Sequence, residues 1–129
     1  MTAHGGAETV FIIDDDEAVR DSLRLLLEAH SMMVRDFASV SEFLDGIEPH
    51  PLGCLILDLH LPVISGLDLL RLFSHRIVGL SVVMLTGSCD SEIRTKAVEA
   101  GVAVFLEKPV QDDQLISAVS WALTRAGTS

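Results

Sequence analysis

Cys54-Leu55-Ile56-Leu57-Asp58-Leu59-His60-Leu61-Pro62 carries an uninterrupted apolar run into an acid, then into a stiffened loop that closes at Gly66. A run of this kind, without the apolar and polar alternation of a half-solvated strand, marks a parallel strand covered on both faces. Three more runs end in the same manner: Val10 to Ile13 at Asp14-Asp15, Val82 to Leu85 at Thr86, and Val102 to Leu106 just before Lys108. Ligands of such sheets sit beyond the carboxyl ends of the strands. Carboxylates, a hydroxyl and an ammonium that lie far apart in the chain are therefore expected on one edge. That set suits a divalent cation and a phosphoryl group.

Strands are expected at Thr9–Ile13, Met32–Asp36, Leu55–Asp58, Ser81–Thr86 and Ala103–Leu106, with helix-period segments between them. Val19, Leu23, Leu26 and Leu27 recur on one helical face behind Asp16, a residue suited to an N-cap. Ser39 and Glu42 have capping-box spacing ahead of Phe43, Leu44 and Ile47, and Pro49-His50-Pro51 is expected to end that helix. Further helices carry Leu67, Leu70 and Phe73, then Ile93, Ala97 and Val98 with Gly101 as a C′ stop, then Leu115, Ile116, Val119 and Leu123. Five strand and helix pairs in alternation predict an α/β fold, a doubly wound (βα)5 sandwich whose parallel sheet has the flavodoxin-like order 2-1-3-4-5.

At 129 residues the chain is expected to form one domain, which buries about two-thirds of its unfolded surface. A hydrophobic content of 49% with only 5% aromatic residues means an aliphatic core. The formal net charge of -10 disfavours direct contact with nucleic acid or an anionic membrane, since phosphates are bound by clusters of Lys and Arg. Cys54, in a strand, and Cys89, in a loop, make neither a disulfide framework nor a zinc spacing, so a reduced, cytoplasmic setting is expected. No apolar stretch reaches the roughly eighteen residues of a membrane span, and the start lacks signal-peptide regions.

Each site residue also has an ordinary reading. Asp16 and Glu17 favour a helix dipole, Asp58 suits a turn, Thr86 caps a loop, and Lys108 extends to solvent. Asp14 fits such a reading less well, because it directly follows a strand that should be buried and stands beside another carboxylate. Asp58 gains weight from its setting, since a strand end, a Pro-stiffened loop and a Gly that permits close approach hold one carboxylate rigidly, as a nucleophile requires. His60 flanks that carboxylate and is expected to be solvated, with an influence on water access as the sharper alternative. His4, His30, His50 and His75 share no ligand spacing, and Trp121 suits packing or a partner surface.

Ile12-Ile13-Asp14-Asp15, Leu57-Asp58-Leu59-His60-Leu61-Pro62 with Gly66, Met84-Leu85-Thr86-Gly87 and Phe105-Leu106-Glu107-Lys108-Pro109 resemble the receiver domain of two-component response regulators, in the CheY-like superfamily. The Thr-Gly pair and the Phe-Leu-Glu-Lys-Pro ending are most similar to the FixJ type, whose receivers usually precede a DNA-binding domain. The resemblance implies that Asp58 accepts a phosphoryl group from the phosphohistidine of a sensor histidine kinase or phosphotransfer protein. It implies Mg²⁺ as cofactor, with Asp15 and Asp58 as ligands, Asp14 acting through water, and the His60 main-chain carbonyl completing the set. Lys108 and Thr86 would hold phosphoryl oxygens, and Pro109 permits the cis peptide common in the family. Thr86 and Phe105 would form a switch that reshapes the surface of the fourth helix, fifth strand and fifth helix. That surface is a candidate for a phosphorylation-dependent homodimer and carries Arg94, Lys96, Glu99, Asp112 and Asp113 beside Val102 and Val104. Such a domain catalyses its own phosphorylation and dephosphorylation and is not a metabolic enzyme in the ordinary sense.

The expected division is a tail over 1–8, a receiver over 9–124, and a tail or linker start over 125–129. The expected output is transcription through a DNA-binding domain outside this chain, with a stand-alone relay as the alternative. A phosphatase with an Asp nucleophile and Mg²⁺ is a remote rival, because Ala18 stands where its motif wants Thr. A flavin carrier fits worse, since the loop after the first strand is acidic and the chain has no Tyr.

Overall fold

The computed structural model describes residues 8–87 and 90–125. In chain order the elements are β1 (Glu8–Ile13), α1 (Glu17–Ala29), β2 (Val34–Phe37), α2 (Val40–Gly46), β3 (Leu52–Asp58), α3 (Gly66–Leu72), β4 (Leu80–Thr86), α4 (Ser91–Glu99), β5 (Val102–Glu107) and α5 (Asp112–Arg125). A short 3-10 turn, Ser74–Arg76, follows α3. The strands form one parallel sheet of order β2-β1-β3-β4-β5, so β3 is central and the expected order is the one found.

Continuous apolar runs arise because both faces are covered. Phe11, Ile13, Leu55, Leu57 and Met84 meet α2, α3 and α4 on one face. Val10, Ile12, Ile56 and Leu85 alternate with them and meet α1 and α5 on the other. Burying one such side chain contributes about 2 kcal/mol. Among the described residues, Asp14, Asp58 and Thr86 are the buried polar or charged exceptions, and all three lie at the carboxyl ends of strands.

Local signals mostly hold. Asp16 accepts from the Ala18 and Val19 N–H groups and starts α1. Gly101 follows the end of α4 at C′, its N–H donating to Val98 O. Three expectations are corrected. β2 runs from Val34 to Phe37 rather than from Met32, because its register is set by pairing Val34 to Phe37 against Val10 to Ile13. β3 begins at Leu52 rather than Leu55, because β1 and β4 offer partners on both sides as far as Leu52 and Gly53. α2 ends at Gly46, before the Pro pair, where Arg35 Nη2 donates to Gly46 O at 2.6 Å and Ile47 is extended.

The reciprocal capping box is also displaced. Ser39 accepts from the Glu42 N–H, but the Glu42 carboxylate reaches the Ala38 N–H instead of that of Ser39. The box closes at Ser65 and Asp68, which fix the start of α3. The Lys108–Pro109 peptide is cis. Cys54 is buried, and burial pushes its thiol pKa up to about 12, as suits a small core residue. Glu8 and Arg125, expected in the tails, instead belong to β1 and α5, because strand pairing and the last helix each extend one residue further. Residues 1–7, 88–89 and 126–129, with His4 and Cys89, lie outside the described residues.

Candidate functional site

Parallel pairing of β1 and β4 with β3 in near register brings their last residues to one level, so Asp14, Asp58 and Thr86 share an edge of the sheet. Asp58 is anchored twice. Its Oδ1 accepts the His60 N–H at 3.1 Å, and its Oδ2 lies 3.2 Å from Lys108 Nζ. The loop that presents Asp58 folds tightly under it, and the Gly66 N–H donates to Leu59 O. A Cβ at Gly66 would sit 2.6 Å from the Asp58 carbonyl oxygen, so this position requires glycine for close approach rather than for dihedral freedom.

Asp14 Oδ1 accepts the Asp16 N–H, while Asp14 Oδ2 is buried with no hydrogen-bond partner. Lys108 Nζ stands 3.7 Å from that bare oxygen, an ion-pair distance rather than a hydrogen bond. Burial raises the Asp14 pKa above its ordinary value. The charges of Asp58 and Asp15 push the same way, against the Asp16 N–H and Lys108.

Oxygens of Asp14, Asp15 and Asp58 lie within 4.8 Å of one another, with Asp15 exposed and the other two buried. A cluster of hard oxygens, one lacking any hydrogen-bond donor, fits a divalent cation of the Mg²⁺ or Ca²⁺ kind. One lysine leaves the three carboxylates under-neutralised.

Thr86 is fully buried and its main-chain oxygen accepts the Lys108 N–H at 2.7 Å, which ties β4 to the residue that reaches Asp58. Phe105 pairs with Met84 in the ladder and packs on the face that carries α4. The His60 side chain is exposed. The residues predicted for the site, Asp14, Asp15, Asp58, His60, Thr86 and Lys108, are thus gathered at one end of β1, β3 and β4, with Phe105 along the same face.

Two further features carry no sequence motif. Arg20 Nη1 donates to the Asp14 carbonyl at 2.8 Å while its Nε pairs with Asp36 at 3.3 Å, and Arg24 also bonds Asp36. The signal was present only as arginines on the inner side of α1. An apolar cleft of about 450 Å³ opens beside Lys108, lined by Val19, Leu23, Leu85, Pro109 and Val110.

Residues 10–120 match the family described as response regulator receiver domain. The transcriptional regulatory protein FixJ of Azorhizobium caulinodans is 41% identical over 117 residues, which are 91% of this chain and 56% of that protein. The receiver domain protein (CheY-like) of Methanospirillum hungatei superposes with a TM-score of 0.85 at 28% identity, over 93% of this chain and 96% of that one. A response regulator protein from Burkholderia pseudomallei, solved with a phosphorylated aspartic acid, a calcium ion and citrate, gives 0.77 at 27% identity, over 87% and 66%. The chain spans about half the length of the curated relatives it matches.

Proposed function

The chain belongs to the response regulator receiver domain family of two-component signalling, and from that membership we propose that Asp58 is its phosphoacceptor. One observation carries the assignment: a buried carboxylate held by the His60 N–H and Lys108 Nζ, next to an acidic cluster with a bare oxygen. An Asp58 oxygen attacks the phosphorus of a phosphohistidine on a sensor histidine kinase or phosphotransfer protein. The O–P bond forms, the P–N bond breaks, and its electron pair returns to the imidazole nitrogen. Later attack by water returns aspartate and inorganic phosphate.

Lys108 faces one phosphoryl oxygen and the Thr86 hydroxyl donates to another, so the residues supply position and charge. Asp14, Asp15 and Asp58, with the His60 main-chain carbonyl, would hold Mg²⁺, which neutralises phosphoryl charge when bound. The calcium ion and phosphorylated aspartate named for the Burkholderia neighbour support this donor set.

Met84, Thr86 and Phe105 lie on one face of adjacent strands. When the Thr86 hydroxyl turns to the phosphoryl group, Phe105 rotates inward and the surface of α4, β5 and α5 shifts toward a homodimer. The unit runs from β1 to α5, one residue beyond the expected 9–124 at each end, and acts in the cytoplasm, with transcription controlled by a DNA-binding segment outside this chain. Among the described residues, no helix is long and apolar enough to cross a membrane.

Acetyl phosphate with Mg²⁺ should add one phosphate, read by intact mass, to the parent and none to Asp58→Asn. Full labelling of Asp58→Asn would reject the assignment.

A further inference from the structure

α4 holds the sheet through few contacts. Its only fully buried residue is Ala97, with Ile93 partly buried. Arg94, on the exposed side of the same helix, reaches over β5 and sets its guanidinium carbon 5.2 Å from the centroid of the Phe105 ring. A cation at that distance over a ring face is attracted by the ring quadrupole. The contact therefore links α4 to β5, the two elements whose relative surface would change on activation.

Phe105 is half-buried on an edge strand, with its ring packed beside Met84 and turned toward α4. Along β4 on that face the next residue is Thr86, so space released by the Thr86 hydroxyl adjoins the ring. Rotation into that space takes the ring out from under the guanidinium. The cation–π attraction thus stabilises only the outward arrangement. A contact made in one of two states shifts their populations by its full strength.

We propose that Arg94 is a positioning residue for phosphorylation: a latch that holds Phe105 outward and so sets how strongly the phosphoryl group must bind to switch the domain. This rests on the reading of Asp58 and Phe105 above. A ligand specific for the inward state binds more tightly in proportion to the population of that state. Loss of the latch should therefore tighten binding of a phosphoryl mimic by about two- to fivefold, the size of an exposed cation–π contact.

Beryllofluoride is titrated calorimetrically with saturating Mg²⁺, at protein concentrations where sedimentation shows monomer. The proteins are the parent, Arg94→Ala, Arg94→Lys, Phe105→Leu and the Arg94→Ala, Phe105→Leu double variant. Arg94→Ala should tighten binding two- to fivefold in the parent and leave it unchanged when Leu replaces the ring, with Arg94→Lys between. A residue that merely supports the fold would lower the unfolding midpoint without tightening the mimic. Equal effects of Arg94→Ala with and without the ring, or weaker binding, would overturn the latch alone. Failure of the parent to bind beryllofluoride, or equal binding by Asp58→Asn, would remove the phosphoacceptor reading and the latch with it.

Discussion

The two ends of β3 are built to opposite specifications. At the amino end, Gly53 has φ +135, and a Cβ there would lie 2.0 Å from the Thr9 carbonyl oxygen, so backbone meets backbone and no side chain fits. At the carboxyl end, Asp58 lies beside Asp14 and Asp15 with one lysine between the buried pair, and Asp14 keeps a buried oxygen without a hydrogen bond. One end is close-packed to serve stability. The other retains unfavourable electrostatics that a bound cation would relieve. Asp58 lies five positions along the strand from Gly53, about 17 Å away, so substitutions at one end should leave the other's response intact.

The largest expected effect is at the packed end. Gly53→Ala combines a left-handed backbone with a steric overlap and should destabilise the domain by about 3 kcal/mol or more. Denaturant unfolding with and without Mg²⁺ should show this loss while the Mg²⁺ increment persists. Loss of the increment as well would mean that the two ends are coupled.

Next comes Asp14→Asn, which should stabilise the metal-free domain at neutral pH by removing a buried charge that its surroundings disfavour. Burial holds the folded-state pKa of Asp14 above its unfolded value of 3.8, so the folded form binds its proton first as pH falls. The stability from that proton is full below the unfolded pKa and is lost as pH rises through the folded one. The gain from Asn should therefore shrink on acidification toward pH 3.8. A gain that grows in acid would contradict a destabilised carboxylate.

The smallest effect is that of the ion. At ten times its dissociation constant, Mg²⁺ should stabilise the parent by about 1.4 kcal/mol, visible as a raised unfolding midpoint that Asp15→Ala loses. A midpoint indifferent to Mg²⁺ in the parent would break the contrast between the ends.

Much of the site was legible because its residues interrupt a strong pattern. Asp14, Asp58 and Thr86 each end a run that burial on two faces keeps apolar, so a polar residue at the boundary stands out in one dimension. The Asp16 cap and the Gly101 stop were readable for a related reason, since both act within one helical turn. The early end of α2 was not, because Arg35 reaches its carbonyl from eleven residues upstream. Nor was the capping box at Ser65, whose acid is Asp68 where the expected pattern has Glu or Gln.

Local order in the chain determined five strands, five helices and the residue types at the strand ends, because periodicity, caps and buried runs are written in consecutive residues. The pairing of those residues was decided in three dimensions. The bare oxygen of Asp14 beside Lys108, the hold of Arg20 on the Asp14 carbonyl and the guanidinium of Arg94 over Phe105 join side chains whose positions depend on how helices dock on the sheet. Such contacts leave no period in the sequence. A surface arginine satisfies helix and solvent equally well wherever it points, and only packing selects its partner.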